Sequence, residues 1–317
     1  MLWRDGRVQE GTTAPFDHVD RGLTLGDGLF DTALSIGGRI AFEADHVDRL
    51  VASADGLGIP ADPDTVRSAM REIAERGPRL AIRTTLTRGA GPRGLKPPDL
   101  PRATLFVTAA PTGRAIAFAP LRLRPTAIAR NDTSPAARIK TLGYLDAVLA
   151  AGEAARAGFD EALFCNTRGA VACAGTGNVF CVMPPPSRAQ RSDPGQRDDS
   201  DDGAAGLLRS TRHDGEGPLT LLTPPLTDGV LPGITRGQLL ALAPACGLTV
   251  EERSLTPEDL RGAQAVFVTN SLRLLAPVTA VGETAYDSAG HPAFPALREA
   301  VRGAVARACG VPPEEVA

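Results

Sequence analysis

The sequence predicts an α+β (mixed α/β) chain of two domains, a small N-terminal one and a larger C-terminal one. Three observations predict it. The chain has 317 residues, enough for two ordinary cores. Segments with strand alternation and segments with helical spacing interleave along its length, which argues for mixed layers rather than a bundle. Residues 111 to 120 hold Pro111, Gly113 and Pro120, a break between the two halves. The expected division is 1–112, a linker at 113–120, and 121–317.

Leu2 and Trp3, then Asp5-Gly6, then Arg7 to Gln9 read as a hairpin closed by a tight Asp-Gly turn. The run RGLTLGDGLFDTALSIGGRI, residues 21 to 40, is broken by glycines before the strand-like FDTALSI. From Asp45 to Gly58, Val47, Leu50, Val51, Ala54 and Leu57 form the apolar stripe of a helix, with Arg49 at its edge. A second helix is expected over Asp64 to Arg76, burying Val66, Met70 and Ile73. RLAIRTTLTRG and ATLFVTA read as strands. Between them, residues 88 to 99 hold too much Gly and Pro for regular structure.

In the second half, Leu142, Leu145, Val148 and Leu149 share one face of a helical run that follows Lys140. Glu161 to Cys165 reads as a strand, Asn166 to Gly169 as a turn, and Val171 onward as further strand. Strands are expected near 219–223, 248–253 and 264–269, and helices near 235–245 and 294–308. The segment 187–217 is rich in Asp, Arg, Ser and Gly with little to bury, and reads as a flexible insertion whose excision leaves the core intact.

Composition excludes several function classes. Apolar residues make up 43% and charged ones 22%, a globular balance. No apolar run approaches the roughly twenty residues of a membrane span. The opening MLWRDGRVQE lacks the apolar core of a signal peptide, so a reducing cytoplasm is the expected compartment. A net charge of −3 gives a nucleic-acid role no electrostatic support. The cysteines, at 165, 173, 181, 246 and 309, form no CxxC pair and suggest neither a disulfide framework nor a zinc site. The histidines also lack metal-ligand spacing.

Lys140 stands in a region poor in charge. A lysine there is either a solvated helix-start residue or a Schiff-base lysine, which needs partial desolvation to supply a neutral amine. Gly233, Ile234 and Thr235 open a helix whose exposed backbone N–H groups suit a phosphate. VFVTNSLRLLAPV, residues 266 to 278, runs from a strand into a polar turn offering Asn270 and Ser271 to the same group.

RGLTLGDGLFDT, HVDRLVASADGLGI, RGAGPRG, the stretch from Lys140 to Phe180, and LPGITRGQLLALA together resemble the class IV (fold-type IV) aminotransferases. The resemblance covers nearly the whole chain. It implies a pyridoxal 5'-phosphate (PLP) enzyme with Lys140 as the Schiff-base lysine and general base. It implies Arg49 as the phosphate grip, joined by Ile234, Thr235, Asn270 and Ser271. It places Arg93 in the loop that reaches toward the substrate carboxylate, although Leu95 departs from the polar or aromatic residue common just after it. It also implies a homodimer whose sites are each completed by a partner loop. One departure stands out: the family places a glutamate, partner of the pyridine nitrogen, five residues before the asparagine of the NVF-like motif. Here that position is Cys173, which reads either as a buried space-filler or as a neutral or thiolate substitute in an altered site.

Two reaction types follow from the resemblance. Thr32, after GDGLFD, and the RGAGPRG loop resemble 4-amino-4-deoxychorismate lyase, which yields 4-aminobenzoate and pyruvate; Thr32 would then assist proton traffic. Tyr144, after KTLG, resembles the tyrosine of many aminotransferases and points instead to a transaminase of branched-chain or D-amino-acid type, although a buried helix tyrosine would read the same. The lyase is the leading expectation, the aminotransferase the alternative, and a non-catalytic PLP binder, motivated by Cys173, the third. Each acts on, or holds, a small amino substrate.

Overall fold

The computed structural model describes residues 1–184 and 218–317. The insertion expected at 187–217 lies outside the described residues. Two sheets, each with its own helices, face one another across a cleft, and the strands divide between them at residues 112–120.

The first sheet takes β1 (Leu2–Arg4), β2 (Arg7–Gln9), β3 (Gly28–Ile36), β4 (Arg39–Ile40), β5 (Arg79–Thr87) and β6 (Thr104–Pro111), in the order β2-β1-β6-β5-β3-β4. The β1–β2 turn puts Asp5 at φ 50 and Gly6 at φ 74, the left-handed pair that matches a two-residue hairpin to strand twist. A short helix, α1 (Arg21–Leu25), precedes β3. Two longer helices, α2 (Glu43–Gly56) and α3 (Pro63–Ala74), lie on the sheet. The start of α3 is well specified: Pro63 opens it, and the Asp62 carboxylate accepts from Thr65 N–H at 2.9 Å. Its Val66, Met70 and Ile73 are fully buried with Val47 and Leu50 of α2, each worth about 2 kcal/mol of burial.

The second sheet takes β7 (Leu121–Pro125), β8 (Glu161–Cys165), β9 (Val171–Ala174), β10 (Asn178–Met183), β11 (Thr220–Thr223), β12 (Thr249–Glu252), β13 (Ala265–Asn270), β14 (Leu274–Val281) and β15 (Thr284–Ala285). Its path runs β12-β11-β10-β13-β14-β7-β8-β9, and β9 pairs back onto β10 through Cys173 and Asn178. That single residue pair closes a six-stranded ring, β10-β13-β14-β7-β8-β9. The helices here are α4 (Leu145–Arg156), α5 (Ile234–Leu242), α6 (Pro257–Gly262) and α7 (Ala293–Cys309). A reciprocal capping box between Thr256 and Asp259 starts α6.

The expected stripe on α4 behaves differently from the others. Leu142 lies before the helix, and Leu145, Val148 and Leu149 are exposed at 69%, 63% and 52%. The face that α4 buries within this chain is the small-residue one of Ala150 and Ala154, while the shared face of Leu145, Val148 and Leu149 points outward.

Candidate active site

A cavity of about 410 Å³ opens in the cleft between the sheets. That size suits a cofactor or small substrate. Phe30 and Thr32 of β3, Arg49 of α2 and Arg83 of β5 line it from one side. Lys140, the β9–β10 seam from Cys173 to Asn178, the start of α5 and the end of β13 line it from the other. The site therefore sits on the one-residue pairing that closes the ring.

Lys140 is held across the cleft by backbone pairing. Phe30 N–H donates to the Lys140 carbonyl at 2.9 Å, and Leu142 N–H donates to the Gly28 carbonyl at 3.0 Å. Its side chain runs over aromatic surface, with Nζ 4.4 Å from the Phe30 ring centre. Nζ donates to the Tyr144 hydroxyl at 3.2 Å. Phe30 and Tyr144 meet edge to face at 4.9 Å, and the Arg83 guanidinium lies 3.6 Å from the Phe30 ring centre. Arg83 is opposite Thr32 in the β3–β5 register. Burial lowers its pKa, and among the described residues no carboxylate pairs with it.

Arg49 lines the cavity while tied at its base. Nε and Nη2 both donate to Asp31 Oδ2, at 2.9 and 2.6 Å, and Nη1 donates to the Pro232 carbonyl at 3.1 Å. The other Asp31 oxygen meets His46 Nδ1 at 2.7 Å. Burial would raise the Asp31 pKa, but His46 and Arg49 together outweigh it and bring it down to about 2.

The start of α5 forms a cradle. Gly233 caps it with no side-chain hydrogen bond, leaving the first N–H groups, beside Ile234 and Thr235, uncapped. A Cβ at Gly233 would sit 2.0 Å from Asn178 Oδ1, so any larger residue there would displace the Asn178 side chain. Asn178 Nδ2 in turn donates to the Leu231 carbonyl at 2.9 Å. Beside this cradle the Thr269 hydroxyl is buried and, among the described residues, without a partner. Asn270 uses Oδ1 to hold the following turn, accepting from Leu272 and Arg273 N–H at 3.0 and 2.7 Å, while Ser271 lines the cavity. An uncapped helix start, a glycine close against Asn178 and an orphaned hydroxyl, with a lysine across the cavity, fit a phosphate-bearing aldehyde cofactor.

Cys173 also lines the cavity. Burial pushes its thiol above the usual value, with the Arg130 guanidinium pulling weakly against it. Arg130 itself takes carbonyl partners, donating from Nε to Gly229 at 3.0 Å and from Nη2 to Ala137 at 2.5 Å.

Lys140, Thr32, Arg49, Cys173, Ile234, Thr235, Asn270, Ser271 and Tyr144 are thus gathered around one cavity. Arg93 is not among them. It is exposed on a loop clamped from behind by Arg21, whose Nη1 and Nη2 donate to the Gly94 and Leu95 carbonyls, both at 2.9 Å. Sequence reasoning missed Arg83, Arg130 and Arg273, and the Asp31–His46 pair. An alternating strand offers no sign that its one outward arginine faces a cleft rather than solvent. Asp31, a carboxylate inside an apolar strand, was the one signal available.

A family model described as amino-transferase class IV matches residues 28–281, so the chain belongs to the class IV aminotransferases. It is 29% identical over 287 residues to a putative branched-chain-amino-acid aminotransferase of Methanocaldococcus jannaschii, spanning 87% of this chain and 86% of that protein. Its fold matches a putative 4-amino-4-deoxychorismate lyase of Legionella pneumophila with a TM-score of 0.74 and 26% identity, over 94% of this chain and 98% of that one. A hypothetical aminotransferase of Mycobacterium tuberculosis, solved in a PLP-bound form, shares the fold with a TM-score of 0.77 at 22% identity, over 97% and 99%. Class IV aminotransferases are PLP-dependent enzymes, transaminases or lyases.

Proposed function

We propose that this chain is a PLP-dependent 4-amino-4-deoxychorismate lyase, releasing 4-aminobenzoate and pyruvate. The observation that best supports the reading is Arg83, a strand-borne guanidinium that, among the described residues, has no acidic partner, in the cavity that holds Lys140 and Thr32. Arg83 is exposed to the cleft and stacked on the Phe30 ring, so its guanidinium is open to a substrate that brings a second carboxylate. Aminodeoxychorismate carries two, on its ring and on its enolpyruvyl group, whereas a branched-chain amino acid carries one and an alkyl chain.

In this reading Lys140 anchors the cofactor, and Arg49, Ile234, Thr235, Asn270 and Ser271 surround its phosphate. PLP, when bound, supplies the electron sink that makes a proton on the amine-bearing carbon removable. The Lys140 amine, beside Tyr144 in the cavity, would take that proton. The electron pair forms the new ring double bond as the neighbouring C–O bond breaks and enolpyruvate leaves. Thr32 passes a proton to the departing group, which becomes pyruvate. Tyr144 positions the Lys140 amine between turnovers.

The second reading is an aminotransferase of branched-chain or D-amino-acid type, favoured by the Lys140–Tyr144 hydrogen bond. One substrate panel separates the readings. Purified holoenzyme is given aminodeoxychorismate alone, then valine or D-alanine with 2-oxoglutarate. The lyase releases 4-aminobenzoate without a keto-acid acceptor. Keto-acid exchange with no 4-aminobenzoate overturns the proposal, and PLP binding with neither reaction identifies a non-catalytic binder.

A further inference from the structure

The side chains that carry charge around this cavity are all cations. Among the described residues they are Arg49, Arg83, Arg130, Lys140, Arg236 and Arg273, and no Asp or Glu lines it. The carboxylates nearby are engaged elsewhere. Asp31 is held behind Arg49. Glu252 pairs with Arg236. Glu161 lies behind the seam, accepting from the Thr176 N–H, and burial favours its neutral form. Along the seam that lines the cavity the side chains are uncharged, and the one at its start is a thiol, Cys173, 9% exposed.

A pyridine nitrogen takes a proton when a carboxylate stabilises the resulting cation, and gives it up when its neighbours are themselves cations. PLP sites set this with an Asp or an Arg as the nitrogen's partner. We propose that this pocket keeps the ring nitrogen of its cofactor unprotonated, with Cys173 as the neutral side chain that faces it. The proposal rests on PLP being the ligand and goes beyond the assignment of the reaction.

The consequence concerns reaction type. A neutral ring draws electron density away from the reacting carbon less strongly than a protonated one. A transamination must hold the freed electron pair on the cofactor until a proton returns. An elimination does not: the pair left when Lys140 takes the proton moves into a carbon–carbon double bond as the bond to the leaving group breaks. The all-cation pocket therefore favours amino substrates with a leaving group, preferably an anionic one, on the neighbouring carbon.

The test is the nitrogen-15 NMR shift of the holoenzyme reconstituted with PLP labelled at the ring nitrogen. Absorbance and borohydride trapping first establish that PLP is bound, so failure of the cofactor reading is seen separately. The native protein is expected to give the signal of a neutral pyridine at neutral pH. A pyridinium signal there overturns the proposal. Cys173→Glu is expected to move the signal toward pyridinium, while Cys173→Gln leaves it in place. A folded, loaded Cys173→Glu protein with an unmoved signal overturns the assignment of Cys173 as the facing residue. Should Cys173→Glu fail to fold, the native signal and Cys173→Gln still decide whether the nitrogen is neutral.

Discussion

The Arg49 guanidinium donates twice to one oxygen of Asp31, from Nη2 at 2.6 Å and from Nε at 2.9 Å, while its third nitrogen reaches the carbonyl of Pro232. Arg49 thereby links the small sheet's Asp31 to the loop that ends at Gly233, and two effects are expected of its removal. Arg49→Ala is expected to weaken PLP retention by about 2 kcal/mol, the scale of a charge-assisted hydrogen bond. It also strips the buried Asp31 carboxylate of one of its two partners, leaving His46 alone, so the apoprotein should lose about 2 kcal/mol of stability. Spectral titration with PLP and denaturant unfolding measure the two effects. An Arg49→Ala protein that binds PLP normally removes Arg49 from the cradle.

Asp31 also makes stability depend on pH. Its folded-state value of about 2 lies below that of an unfolded carboxylate. Its contribution, roughly 2 kcal/mol, is complete above about pH 4 and disappears as pH falls toward 2. Unfolding free energy measured from neutral to acid pH should drop through that window. The Asp31→Asn protein should be less stable at neutral pH and show a shallower acid dependence. Parallel pH curves for the two proteins would mean that Asp31 carries no net linkage.

Much of this fold was legible because its elements bury regular faces. Val66, Met70 and Ile73 mark α3, and the Asp-Gly pair at 5 and 6 marks the first hairpin. What spacing could not supply was the partner of each face. The stripe of α4 has the same spacing as a buried one, yet its leucines face away from the sheet. The motif residues of the site were legible through resemblance, since Lys140 and Arg49 sit in short contiguous stretches. Arg83 and Arg130 were not, because what makes them notable is that, among the described residues, neither pairs with a carboxylate. That property belongs to the assembled cleft. The pairing of Cys173 with Asn178 that closes the ring is likewise a matter of register, invisible in a hairpin sequence.

Lys140 is expected to be the residue that bonds to PLP. Its amine lies within the cavity, against Phe30 and Tyr144. Lys96, the other lysine of the chain, is exposed and sits 3.5 Å from Asp99. Borohydride reduction and peptide mapping should find the pyridoxyl group on Lys140. A label on Lys96 would displace the site. Lys140→Ala should bind PLP without the covalent bond and lose turnover.

Arg83 should govern recognition of the second carboxylate. Arg83→Ala is expected to lower kcat/KM for aminodeoxychorismate by about 100-fold, near 3 kcal/mol for a charged hydrogen bond. The loss should fall mainly on KM, since the contact precedes the chemistry. Arg83→Lys keeps the charge but not the fork and should recover part of it. A variant with unchanged KM for this dianion, but a raised KM for a monocarboxylate amino acid, would assign Arg83 to the other carboxylate.

The exposed face of α4 leads to the last prediction, the homodimer. Leu145, Val148 and Leu149 are exposed there, and Leu23 and Leu25 of α1 are exposed as well. The two helices adjoin: a Cβ at Gly26, which ends α1, would lie 3.7 Å from the Gly143 nitrogen just before α4. The loop bearing Arg93 joins the same surface, because Arg21 of α1 holds its Gly94 and Leu95 carbonyls. Apolar residues this exposed beside a catalytic cleft suit burial against a second copy of the chain. Such an arrangement would give Arg93, exposed outside its own cavity, a route to the partner's. Sedimentation at working concentrations should show a dimer. Val148→Asp with Leu149→Asp should weaken it at least roughly 100-fold, about 3 kcal/mol, by placing charge in an apolar contact. Arg93→Ala should leave assembly intact and reduce activity. Mixing Arg93→Ala with Lys140→Ala subunits then reads the geometry directly. If Arg93 serves the partner's site, one class of mixed dimer regains an intact site and activity returns. An active monomer would overturn the dimer, and no recovery on mixing would overturn the assignment of Arg93 to the partner's site.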